Sequence, residues 1–264
     1  MIRVFVGCAP NHEDAESQAV LEWSINKHAS EPVEITWMKH SLDPASLWYG
    51  WNSTLWATPF SGFRWGIPYA CDYEGKAIYM DSDVIVLADI AELWHQRFQQ
   101  GKVALAKGEG SWRYCVSLWN CAAMDGIVFP IERLKKVATS HKEMVQYMAS
   151  HPHMTQQFMG DWNCLDGVGY TQFFKNSNLK ALHYTDMRTQ PQLQHALPRL
   201  AAQGRKHWFD GQVIPHPRKD VIDLFNYYLV EAIAEGYTVA KYCKDPLIPA
   251  PGKASMAGYM GAHK

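Results

Sequence analysis

The chain has 264 residues, 47% of them hydrophobic and 19% charged, with a formal net charge of −1 and a pI near 6.9. That balance fits one large α/β domain or two small ones and offers nucleic acid no basic surface. No apolar stretch reaches the roughly 20 residues that span a bilayer, and the N-terminus lacks the layout of a signal peptide.

The opening run Arg3 to Gly7 reads as a strand, followed by the tight loop Gly7-Cys8-Ala9-Pro10-Asn11. From His12 to Ala29 the apolar positions Ala15, Ala19, Val20 and Trp23 keep helical spacing, and Val33 to Met38 reads as a second strand. This β-loop-α-β opening is the unit of parallel, nucleotide-binding sheets, whose ligands sit at the carboxyl ends of the strands. The loop lacks G-x-G-x-x-G spacing, which weakens a dinucleotide reading. Residues 48–65, rich in Trp, Gly, Ser and Pro, predict a long irregular loop. Ile67 to Cys71 suggests a short helix; Lys76 to Met80, Val103 to Ala106 and Cys115 to Trp119 suggest strands. The spacing predicts one amphipathic helix over 131–148, a strand over 179–184 and a helix over 220–235 stopped by Gly236. A single domain over 1–245 is expected, with an irregular, weakly ordered tail over 246–264 rich in Pro and Gly. The six cysteines include no C-x-x-C pair, so reduced, mostly buried thiols in a cytoplasmic protein are expected.

The most informative stretch is Tyr79-Met80-Asp81-Ser82-Asp83-Val84-Ile85-Val86. In an extended segment residues i and i+2 project to the same side, so Asp81 and Asp83 converge. Paired carboxylates repel unless a positive charge lies between them, and a hard divalent cation with oxygen ligands is the usual answer. Such an ion leaves coordination sites for phosphate, which points to a phosphorylated or nucleotide-linked substrate. A solvated turn is the plainer alternative. His183 ends a short apolar run, as Asp81 does, and the polar loop from Asp186 to Pro191 follows it; the histidine is a candidate third ligand.

The segments Phe63-Arg64-Trp65-Gly66-Ile67-Pro68, Lys76 to Val86 and Asp89-Ile90-Ala91-Glu92-Leu93-Trp94 resemble the core of family 8 glycosyltransferases. His183-Tyr184-Thr185 resembles that family's late His-Phe/Tyr-x-Gly motif, and Trp162-Asn163 a Trp-Asn pair upstream of it. The resemblance implies a GT-A-type, Rossmann-like α/β domain with a mixed, mainly parallel sheet flanked by helices. It implies a retaining hexosyltransferase that uses a nucleotide sugar, chiefly a UDP-sugar, and a saccharide or glycoconjugate acceptor. Asp81, Asp83 and His183 would hold Mn²⁺ or Mg²⁺. Gly7, Cys8, Ala9, Asn11, Arg64, Asp81 and Ser82 would bind the nucleotide, and Asn163, Asp166, Arg188 and Gln190 would lie near the donor or acceptor sugar. No catalytic nucleophile is assigned.

The sequence departs from the family in places. The late motif normally continues to Lys-Pro-Trp, where this chain has Gln190-Pro191-Gln192, and Arg188 is the candidate replacement charge. A recognisable Asp-Gln pair is missing; Gln156, Gln157 and Asp161 are positional candidates. Trp48, Trp51, Trp56 and Trp65 could stack on an acceptor or pack beneath the long loop. His195, His207 and His216 lie in a Pro-rich, basic stretch around Arg199 to Lys219, expected as a solvated face and otherwise as a contact for an anionic acceptor or a membrane surface. A nucleotidyltransferase or a non-catalytic sugar-binding protein on a degenerate transferase fold are the alternatives. A phosphatase with an aspartyl nucleophile carries its Asp-x-Asp on the first strand, against the mid-chain position here.

Overall fold

The protein is described by a computed structural model over residues 1–167 and 178–249. Strand β1 (Ile2–Gly7) pairs in parallel with β2 (Val33–Met38) and β3 (Lys76–Asp81). Strand β6 (Ser111–Asn120) runs antiparallel to β3 and to β5 (Ala104–Glu109), while β7 (Thr155–Gln157) adds a parallel edge to β5. The order is therefore β2-β1-β3-β6-β5-β7, a mixed and mainly parallel sheet. A second sheet joins β4 (Val84–Val86), β9 (Ala181–His183) and β8 (Cys164–Leu165) in the order β4-β9-β8.

Period-two alternation divides the large sheet between two cores. Ile2, Val4, Val6, Ile78, Met80, Leu105, Val116 and Leu118 face one side, and Leu21 and Ile25 of helix α1 (Ala15–His28) join them there. Phe5, Ala77, Tyr79, Ala104, Ala106 and Trp119 face the other, under an aromatic layer. Helix α1 is buried on both sides, because Ala15, Ala19 and Val20 meet Val221, Phe225 and Leu229 of helix α7 (Lys219–Ala234). The short helix expected after the long loop is α2 (Ile67–Ala70), and α3 (Ala91–Trp94) follows the Asp pair.

The long loop over 48–65 is irregular but not loose. Trp48, Trp51 and Trp56 are buried around Phe63, and Trp65 is buried against Tyr114 and Trp119, so packing, rather than an open stacking surface, accounts for them.

Three expectations need correction. The single helix over 131–148 is two, α4 (Ile131–Lys136) and α5 (Ser140–Ser150). The chain turns extended at Val137, and Ser140 caps the break, its hydroxyl donating to Leu134 O and its amide to Val137 O. Val137 and Val145 are exposed, so part of the apolar period never faced a core. The stretch from Arg199 to Lys219, which begins in the last turn of helix α6 (Leu193–Ala202), is mostly exposed as expected, but two of its histidines are not: His207 and His216 are buried, whereas His195 is exposed. The tail is tied down at its start, since Ile248 N–H donates to Asn11 Oδ1 and Asn11 Nδ2 to Ile248 O; residues 250–264 lie outside the described residues. All six cysteines are free. Among the described residues no helix is long and apolar enough to cross a membrane.

Candidate active site

The site forms where β1 and β3 end side by side, with Gly7 paired to Asp81 and Ser82 N–H donating to Gly7 O. The second sheet then delivers the histidine. In the antiparallel pair β4–β9, Val84 lies opposite His183, and Tyr184 N–H donates to Asp83 O. Residues 100 apart in sequence are thereby brought together, and His183 Nε2 lies 3.2 Å from Asp83 Oδ1. Asp83 Oδ1 is buried without a well-oriented hydrogen-bond donor.

Asp81 is held from the sheet side. Tyr79, two residues earlier on the same face, donates its hydroxyl to Asp81 Oδ1, and Arg64 Nη2 lies 3.3 Å from that oxygen. Arg64 is itself fixed by Ser61 O at 2.9 Å and by the Tyr79 ring, 4.5 Å from its guanidinium carbon. A Cβ on Gly7 would come within 2.7 Å of the Tyr79 hydroxyl, so glycine here is what lets the tyrosine reach Asp81. Burial raises the Asp81 carboxyl above its ordinary value and Asp83 adds to the rise, against the opposing pull of Arg64 and His183. Burial disfavours the His183 cation, but the neighbouring aspartates, Asp83 foremost, more than offset it and hold the imidazole above its usual value. Arg64 is likewise held above its ordinary value by Tyr79 and Asp81 in spite of its burial.

A further shell orients these groups. Asn163 Oδ1 lies 2.9 Å from His183 Nδ1 and fixes the ring. Gln190 Nε2 donates to Asp83 Oδ2 and to Tyr184 O, both at 2.6 Å. Asp166 is fully buried; its oxygens accept from Thr185 Oγ1 at 2.9 Å and face His216 Nε2 at 3.2 Å. Thus Asn163, Asp166 and Gln190, expected near the sugar, brace the acid–imidazole cluster in this arrangement. Arg188 is folded onto Asp186, with Nη2 at 2.7 Å from Oδ2. Gln156 and Gln157 bond to main-chain groups of Gln99, Arg97 and Gly108, and Asp161 pairs with Lys107, so all three serve the sheet edge.

The first loop is built as a cradle. Asn11 and His12 both adopt left-handed backbone, with φ of 60°. Ala9 N–H donates to Asp14 Oδ2 at 2.6 Å, and Ser82 Oγ donates to the same oxygen at 3.0 Å. Cys8 turns away, its buried thiol directed to Met38 O. Asn11 exchanges two hydrogen bonds with Ile248, its Nδ2 donating to Ile248 O at 3.2 Å and its Oδ1 accepting from Ile248 N–H at 2.7 Å.

Asp14 and Cys115 are site residues that sequence reasoning passed over. Asp14 begins α1 without capping it, its carboxylate turned instead to the loop and to Ser82; burial pushes it up to about 6. Its neighbour Glu13, which accepts from Trp208 N–H at 2.7 Å, is pushed by burial up to about 8. The cue was an acidic run, Glu13-Asp14 then Glu16, directly after a strand-ending loop. Cys115 lies beside Asp81 because β6 places Val116 opposite Met80, and ligand atoms of Asp81, Cys115 and His183 lie within 4.8 Å of one another. Burial pushes the thiol up to about 12, with Asp81 adding to the effect.

Comparison with known proteins gives a partial match and a shared fold. No family model matches the chain. Protein CDI of Arabidopsis thaliana is 42% identical over 92 residues, so the match spans 34% of this chain and about a third, 35%, of that protein. Among solved structures, the WbbM bifunctional glycosyltransferase superposes with a TM-score of 0.57 at 15% identity, over 92% of this chain and 51% of that one. The galactosyltransferase LgtC superposes at 0.53 and 11% identity, over 88% of this chain and 96% of that one. The glycosyltransferase GlyE of Streptococcus pneumoniae TIGR4 gives 0.52 at 15%, over 90% and 64%. At these identities the likeness is one of fold: a mixed, mainly parallel α/β sheet flanked by helices, the GT-A-type arrangement of those glycosyltransferases.

Proposed function

We propose that this protein is a glycosyltransferase that moves a hexose from a nucleotide sugar, most simply a UDP-sugar, to a saccharide or glycoconjugate acceptor with retention of configuration. The observation that carries the reading is His183 at the carboxyl ends of β1 and β3, 3.2 Å from Asp83 and within 4.8 Å of an Asp81 oxygen, within a fold shared with glycosyltransferases. Two carboxylates and an imidazole, with Asp83 Oδ1 buried and lacking a donor, fit a divalent ion such as Mn²⁺ or Mg²⁺. When bound, that ion would neutralise charge on the departing diphosphate.

The chain's own residues have distinct tasks. Asp81, Asp83 and His183 hold the cation, and Asn163 and Gln190 keep two of those ligands oriented. Gly7 to Asn11 and Ser82 line the nucleoside side, and Arg64 supplies a fixed positive charge near the phosphates. In a front-face reaction the acceptor oxygen bonds to the anomeric carbon as its bond to the phosphate oxygen breaks. That departing oxygen takes the acceptor proton, so no enzymic nucleophile is needed. The six free thiols suit a reducing, cytoplasmic setting.

Incubation with a panel of nucleotide sugars and Mn²⁺ tests catalysis and donor choice together, because slow hydrolysis of one donor should release its nucleoside diphosphate. A protein that binds sugars but releases no nucleotide from any donor is the non-catalytic alternative. Release of pyrophosphate from a nucleoside triphosphate and a sugar phosphate would instead identify a nucleotidyltransferase.

A further inference from the structure

We propose that Cys115 is a sulfur ligand of the cation site, so that this chain binds thiophilic divalent ions such as Zn²⁺, Cd²⁺ and Co²⁺ more tightly than Mg²⁺ or Mn²⁺. The inference rests on the reading of Asp81, Asp83 and His183 as cation ligands and adds a fourth donor of different chemistry.

The placement follows from the sheet. With Met80 opposite Val116, the next residue of antiparallel β6 comes alongside Asp81 and, like it, lies on the face that carries Tyr79 and Ser117. The sulfur, an Asp81 oxygen and a His183 ring nitrogen lie within 4.8 Å of one another. Asp83 stands outside that trio but adjoins it through His183: its Oδ1 is buried, 3.2 Å from His183 Nε2, with no well-oriented hydrogen bond. With His183 Nδ1–H donated to Asn163 Oδ1, Nε2 is left for the ion. Asp81 Oδ1 already receives Tyr79 and Arg64, which leaves its second oxygen as the ligand. Two oxygens, one nitrogen and one sulfur make a set that suits a four-coordinate, borderline-soft ion, whereas Mg²⁺ and Mn²⁺ gain little from sulfur. On binding, the Cys115 thiol gives its proton to solvent and the sulfur–metal bond replaces the S–H bond, with no change of oxidation state.

The test is a titration of the metal-free, full-length protein with Co²⁺. One equivalent should produce thiolate-to-cobalt charge-transfer absorption in the near ultraviolet, and Cys115→Ser should abolish it. In the same variant Zn²⁺ affinity should fall by about tenfold or more. Electron paramagnetic resonance of added Mn²⁺ reports in parallel whether the oxygen and nitrogen ligands are assembled, and Zn²⁺ should displace that Mn²⁺ from the native chain. Should the variant fail to fold, X-ray absorption of the Cd²⁺-loaded native protein counts the sulfur neighbours, and one is expected. Mn²⁺ binding without a cobalt–thiolate band, a band that survives in Cys115→Ser, or a cadmium shell of only oxygen and nitrogen would overturn the role of Cys115 while leaving the carboxylate–imidazole site intact. Failure of both Mn²⁺ and Co²⁺ to bind would overturn the cation site as a whole.

Discussion

The two ends of the sheet's aromatic face handle burial in opposite ways. Under residues 48–65, Trp48, Trp51, Trp56, Phe63 and Trp65 fill space against one another, with ring centroids between 5.2 and 6.1 Å for the contacts among Trp48, Trp51, Trp56 and Phe63. Polar handles there are partly absorbed, since Trp51 Nε1 donates to Leu47 O and Trp65 Nε1 to His141 Nδ1. At the carboxyl ends of β1 and β3 the same burial encloses Asp14, Asp81 and His183 and half-buries Asp83, groups that cost free energy when removed from water. The aromatic layer is held by packing, whereas Asp81 and Asp83 are held by the facing charges of Arg64 and His183. The contrast separates what holds the fold from what the fold is for.

The comparison breaks most visibly with Trp56→Ala. Trp56 is nearly fully buried, and its ring lies so close to Gly62 that a Cβ there would fall 2.2 Å away. Loss of the indole should destabilise the protein by about 3–5 kcal/mol in urea unfolding, with little change in Mn²⁺ affinity below the transition. An equal loss of ion binding would mean that the two regions are not separable. Gly7→Ala joins them deliberately, because the added methyl presses on both Phe60 and the Tyr79 hydroxyl that serves Asp81. It should cost about 1–3 kcal/mol and also weaken ion binding.

A smaller effect concerns pH. Glu13 and Asp14 are raised in the folded state to about 8 and about 6, from 4.5 and 3.8, mainly by burial. Their stabilising contribution is complete below the unfolded values and is lost as pH rises through the folded ones. The metal-free protein should therefore lose stability between about pH 4 and pH 8, and Glu13→Gln should flatten part of that slope in denaturant midpoints. A slope unchanged by the substitution would remove Glu13 from the account. The smallest change is expected at the exposed apolar positions of α7. Val230→Ala should alter stability by less than about 0.5 kcal/mol, since the side chain lies mostly in water.

Much of this architecture was legible from pattern alone. Strand β2 falls on its expected residues, and β1, β3, α1 and α7 fall within three residues of theirs, because their apolar periods face real cores. The Asp81–Asp83 pair stood out because it closes one strand and opens another. The break at Val137 was not legible, since Val137 and Val145 keep the helical period without being buried. Strand β7 is three polar-leaning residues at an edge, held by main-chain pairing that leaves no hydrophobic signature. The meeting of His183 with Asp83 depends on the β4–β9 register, a long-range pairing that no local spacing encodes. Asp14 and Cys115 were obscured for the same reason: their importance lies in which strand ends beside them.

The most direct test is a Mn²⁺ titration followed by electron paramagnetic resonance, with and without UDP, on the native chain and on Asp83→Asn. The account predicts one bound ion, tighter binding when UDP is present, and at least about a tenfold loss of affinity in the variant. Equal Mn²⁺ affinity in both proteins, or binding indifferent to the nucleotide, would contradict it.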